Sequence, residues 1–160
     1  MDFQDRLQRA VERGRRSGNE KAREQVEQAL NDEELRRLHT KHQLQLSEHI
    51  EACLAKLPDH FPGFQFQTVA NERGWGAAVS RDDVGLGSDG RTNYYSRLEV
   101  VIRPAGKYPV LELAAKGTIR NKELFNRSHY QRLAEADPDS FTEMIDLWVL
   151  EYAELYAAKR

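Results

Sequence analysis

With 160 residues, 39% hydrophobic and 31% charged, the chain has the length of one domain and enough apolar content for a core. The 24 basic and 26 acidic residues leave a net charge of −2, which removes any chain-wide electrostatic reason to bind nucleic acid or an anionic membrane. Cys53 is the only cysteine, so no intrachain disulfide is possible. There is no apolar leader and no run near the roughly 18 apolar residues of a membrane span, so the expectation is a cytoplasmic protein that does not cross a membrane.

Residues 1–57 hold no proline and read as helix in three stretches. Phe3, Leu7, Ala10 and Val11 form a thin apolar stripe, weakened by Gly14 and Gly18. Ala22, Val26, Ala29 and Leu30 form a second, and Asn31 or Asp32 offers a cap for a third. That third stretch is the strongest: Leu35, Leu38, His42, Leu46, Ile50, Cys53, Leu54 and Leu57 recur at i, i+3, i+4 until Pro58. Residues 1–31 are therefore expected to be a helical arm, and residues 32–160 one α+β domain.

From Gly63 the apolar period changes to two. Phe64, Phe66, Thr68 and Ala70 make a first strand, and Trp75, Ala77 and Val79 return on a second across Asn71–Gly74. Pairing Ala70 with Trp75 sets Phe66 against Val79, so both strands present apolar residues to one face. A glycine-rich loop is expected over 82–93. Leu98, Val100 and Ile102, then Leu111, Leu113, Ala115 and Ile119, give a third and a fourth strand. Two helices close the chain, the first capped by Asn121 with Leu124, Phe125, Tyr130 and Leu133 as its apolar residues. The second starts at Asp139 or Ser140, after Asp137-Pro138, and carries Phe141, Met144, Ile145, Trp148, Tyr152, Leu155 and Tyr156. The predicted fold is a four-stranded antiparallel meander packed on one face by C-terminal helices and preceded by a helical arm. In outline this order resembles cystatin-like and secretion-chaperone-like layouts, and no motif names a family.

Four groups of residues invite a chemical reading. Gly85-Leu86-Gly87-Ser88-Asp89-Gly90 matches GxGxxG, but a strand follows it where the dinucleotide-binding mechanism needs a helix N-terminus. Gly85, Gly87, Gly90 and Arg91 remain as a ligand loop. His42, His49 and Cys53 fall within about 40° of one another on an ideal helix and are zinc-ligand types. They share their arc with Leu46 and Ile50, so the expectation is no metal, with these three as the candidates. Arg97, Arg103, Lys116 and Arg120 share a charged sheet face with Glu99 and Glu112, suited to cross-strand ion pairs or an acidic protein partner. Leu46, Ile50 and Leu54 on the third helix, with Trp148, Tyr152 and Tyr156 on a last helix that is apolar on more than one side, are assigned to a partner interface.

Together these features predict a non-enzymatic, adaptor- or chaperone-like interaction module that self-associates through its helices as a homo-oligomer, with a homodimer as the simplest form. No catalytic residues and no cofactor are assigned. The alternative is a small-ligand-binding or enzymatic cup between the apolar sheet face and the last helix, gated by the 82–93 loop.

Overall fold

The computed structural model describes residues 2–87 and 90–159, and within them all side chains but those at 23, 25–30, 86, 87 and 91. The chain divides into two compact units, Met1–Arg37 and Leu38–Arg160. The boundary between the two units lies inside the first helix.

With no proline before Pro58, nothing forces a break, and α1 runs unbroken over Phe3–Leu54 instead of in three pieces. Two glycines cost about 1 kcal/mol each in a helix, too little to end one with good formers on either side. At the start the Asp2 carboxylate accepts from the Asp5 amide (2.9 Å), and further on Glu33 pairs with Arg37 one turn away (3.0 Å). The expected stripe through Val26, Ala29 and Leu30 lies outside the described side chains. Pro58 sits in a one-turn helix, α2 (Leu57–His60), where proline is tolerated in the first turn.

The sheet has five antiparallel strands in meander order: β1 (Gln65–Asn71), β2 (Gly74–Gly87), β3 (Gly90–Ile102), β4 (Val110–Ile119) and β5 (Lys122–Arg132). Ala70 pairs with Trp75 and Phe66 with Val79, the register that the alternation requires. Further along, Ile102 lies opposite Leu113, and Glu99 lies directly opposite Lys116.

Two expectations are corrected here. Residues 82–87 and 90–93 are strand rather than loop, because β2 and β3 continue as a paired ribbon to Gly87 and Gly90. The residues read as a capped helix after Asn121 form β5, so the sheet has five strands and a single helix closes the chain. The cause is the turn: Arg120 and Asn121 both take positive φ (49° and 71°), the conformation of a two-residue hairpin turn. Asn121 then stitches that turn to β3, its amide donating to the Tyr95 carbonyl and its carboxamide oxygen accepting from the Tyr95 amide, both at 2.8 Å. Beyond a bulge at Gly117/Thr118, Phe125, Arg127, His129 and Gln131 lie opposite the core-facing residues of β4.

A 3-10 turn (Leu133–Glu135) leads into α3 (Pro138–Lys159), which starts beside Asp137 as the Asp-Pro-Asp signal indicates. Within Leu38–Arg160, α3 and the last turns of α1 cover one sheet face side by side. They run parallel, because Asp146 faces His49 and Cys53 while Tyr156, ten residues on, stacks edge-on against Phe61 (4.9 Å). Leu46, Ile50 and Leu54 of α1 and Trp148, Tyr152 and Tyr156 of α3 are buried in this layer. The second partner that the broad apolar surface of α3 requires is therefore α1 of the same chain, and these six residues are core rather than exposed surface. The Tyr152 hydroxyl donates to the Thr118 carbonyl (2.8 Å), and Arg127 of β5 forks onto Glu151. The Tyr152→Phe variant is expected to unfold about 1 kcal/mol more easily in urea, through the loss of that one hydrogen bond.

His39 and His42 lie on the buried side of α1, 3% and 6% exposed. Burial lowers the pKa of both from 6.5, partly offset at His39 by a hydrogen bond to the Arg103 main chain and reinforced at His42 by Lys41 and His39. Below pH 6.5 the unfolded chain takes up protons that the folded chain refuses, so stability falls as the pH drops from 6.5 toward the lowered folded values. The urea midpoint should be lower at about pH 5.5 than at about pH 7.5, with a shallower slope in His42→Leu. A midpoint that rises on acidification would contradict this.

Candidate functional site

The seam between α1 and α3 holds the most concentrated set of chemically capable side chains among the described residues. His42, Leu46, Ile50 and Leu54 recur every four residues and bury one line of α1 against the layer beneath. His49 and Cys53, one position behind Ile50 and Leu54, turn the adjoining flank toward α3. There Asp146 follows the buried Ile145 and faces them. His49 Nε2 lies 2.7 Å from Asp146 Oδ1, and Cys53 Sγ lies 3.4 Å from each of those two atoms.

This triangle is not a nucleophilic triad. A relay needs the base to contact the nucleophile through one ring nitrogen and its orienting carboxylate through the other. Here both contacts fall on Nε2 of His49. The thiol is also pushed up to about 11, first by burial and then by its hydrogen bond to Asp146 and the charge of that carboxylate, with Lys56 opposing. Cys53 is therefore a thiol that donates to a carboxylate, the reverse of an activated cysteine.

Beside the triangle runs a groove of about 470 Å³ whose walls include Leu57, His60, Phe61, Val149, Leu150 and Ala153. A second hollow, of about 280 Å³, lies where the β2–β3 ribbon meets the end of α3 and is lined by Arg81, Asp83, Gly85, Tyr94, Arg120, Tyr156 and Lys159 among others. Arg81 is held there by Asp83 (2.7 Å) and the Pro62 carbonyl (2.6 Å), and the Arg120 guanidinium rests 4.5 Å over the Tyr94 ring.

The other predicted site residues are dispersed. His42 lies on the buried line and is absent from the His49 cluster. Arg97 and Arg73 both pair with Glu99 (3.0 and 3.1 Å), Arg103 donates to the Arg73 carbonyl, and Lys116 is exposed opposite Glu99. Arg120 is in the β4–β5 turn and is not part of that face. Gly85 and Gly87 are on β2 and Gly90 on β3; Ser88, Asp89 and the Arg91 side chain lie outside the description. A Cβ on Gly85 would come within 2.3 Å of the Tyr94 ring, so that glycine serves packing of the ribbon. Asp146 is the member of this cluster that sequence reasoning missed. The one signal for it was a carboxylate set inside the apolar run Met144-Ile145-Asp146-Leu147-Trp148.

No family model, curated protein or solved structure matches this chain. No helix among the described residues is long and apolar enough to cross a membrane.

The raised thiol has a direct consequence. Cys53 in the folded protein should react with iodoacetamide at about pH 8 at least tenfold more slowly than in the urea-unfolded chain, where its pKa is near the ordinary 8.5. Equal rates in both states would contradict the burial and the hydrogen bond to Asp146.

Proposed function

We propose that this protein is a non-enzymatic interaction module that self-associates through its helices. One observation carries the reading. In the unit Met1–Arg37, Phe3, Leu7 and Val11 recur every four residues on one helix face and stay exposed, Phe3 at 75%. Every described side chain from Asp2 to Glu34 is likewise exposed. Most helical stability in water comes from packing an apolar face, so a helical segment with such a stripe and no buried side chain among those described calls for a partner.

The charge order along this segment favours a second copy as that partner. Acidic Asp2 and Asp5 come first, Arg6, Arg9 and Glu12 lie between, and basic Arg13, Arg15 and Arg16 follow. An antiparallel pairing sets Asp2 and Asp5 beside Arg16 and Arg13 of the second copy, with Leu7 beside Val11. A parallel pairing would set like charges together. In the unit Leu38–Arg160, Leu147 and Leu150 add apolar surface on the outer side of α3, 59% and 64% exposed.

Sedimentation equilibrium at tens of micromolar is expected to give twice the 18.5 kDa chain mass. The Leu7→Arg/Val11→Arg double variant should sediment as a monomer and keep its near-ultraviolet circular dichroism, since both tryptophans lie in the other unit. A wild-type chain that stays at 18.5 kDa across this range overturns the proposal.

A further inference from the structure

We propose that His49, Cys53 and Asp146 form a binding site for a zinc-class divalent cation, one that ties α1 to α3. The three donor atoms, Nε2, Sγ and Oδ1, lie within 4.8 Å of one another, drawn from two helices that the core already fixes. His49 and Cys53 stand at i, i+4, the spacing that puts two ligands on one helix face. Imidazole, thiolate and carboxylate together suit zinc, a borderline-soft ion, better than magnesium or calcium, which take oxygen ligands.

The distances are close to those of a bound ion. Zinc bonds of about 2.3 Å to sulfur and 2.0–2.2 Å to nitrogen and oxygen, at tetrahedral angles, require about 3.5 Å between sulfur and each other donor and about 3.4 Å between nitrogen and oxygen. Both sulfur edges are 3.4 Å. The His49–Asp146 edge is 2.7 Å and must open by about 0.7 Å, within reach of a side-chain rotation because Asp146 is about half exposed. Convergence of both neighbours on one ring nitrogen, which excludes a catalytic relay, is the geometry a shared ion needs, since Nε2, Sγ and Oδ1 then border one point. His60 lines the same groove but is not one of the three converging donors, so the fourth position of a tetrahedral ion falls to solvent. On binding, the Cys53 S–H proton passes to solvent and the sulfur lone pair goes to the metal, so the site changes from a thiol–carboxylate hydrogen bond to a thiolate–metal bond with no change of oxidation state.

The test is Co²⁺ titration of the metal-free full-length chain. Because Cys53 is the only cysteine, any thiolate-to-cobalt charge-transfer band reports on this site alone. The expected result is a band that saturates at one Co²⁺ per chain, is removed by added Zn²⁺, and is absent in Cys53→Ser. His49→Gln and Asp146→Asn should each weaken Co²⁺ binding at least tenfold while leaving the far-ultraviolet circular dichroism unchanged. Zn²⁺ should also raise the thermal midpoint of the wild-type protein and not that of Cys53→Ser, a readout that survives if one of the other variants fails to fold. No band at a hundredfold excess of Co²⁺ overturns the site. So does a band of unchanged affinity in both His49→Gln and Asp146→Asn, which would assign the ion to an isolated thiol.

Discussion

One apolar sheet face has to be covered, and two helices lying side by side cover it. An antiparallel meander with alternating strands leaves such a face open, and each large side chain buried there contributes roughly 1.5–3 kcal/mol. α3 alone is too narrow for the width of the sheet, and the last turns of α1 supply the rest with Leu46, Ile50 and Leu54. The two covering segments precede and follow the sheet in sequence, so the layer closes only when helices from either side of the meander meet over it. The edge-on stack of Phe61, Phe64, Tyr152 and Tyr156 fixes the place where α1 gives way to β1 against the end of α3.

The same packing accounts for the polar seam. Two parallel helices on a sheet bury the sides that face the strands and leave a furrow between them on the outside. Side chains at its margin are half-buried, where a polar group must find a partner or lose more than a hydrogen bond is worth. His49, Cys53 and Asp146 satisfy one another there. The composition is unusual for a furrow that apolar residues would fill at lower cost, which is the physical ground for reading it as a site.

Period decided how much could be read in advance. The β1–β2 register followed from alternation alone, and the strong α1 stripe and the Asp-Pro start of α3 were equally legible. Residues 122–132 were misread because Leu124, Phe125, Tyr130 and Leu133 imitate helical spacing once a bulge inserts Leu124 into the strand. Two consecutive positive-φ residues without glycine also gave no turn signal. The polar seam was half legible: i, i+4 spacing exposed His49 and Cys53, but Asp146 lies 93 residues from Cys53, and only the parallel placement of α3 brings it in. The six helix residues assigned to an interface are buried within the chain. Sequence cannot tell a helix of the same chain from one of another.

The β2–β3 ribbon has a different significance. Inside the sheet, from Ser80 opposite Arg97 toward Trp75 opposite Ile102, every pair is flanked by β1 or β4. Beyond it, from Asp82 opposite Tyr95 to Gly87 opposite Gly90, no third strand flanks the pair, and only Asn121 of the β4–β5 turn reaches in, to Tyr95 and Asn93. Removing or adding one residue on each strand there keeps the alternation and leaves the inner register untouched. The ribbon beyond Asn93 is thus the part of the sheet whose length the rest of the fold constrains least.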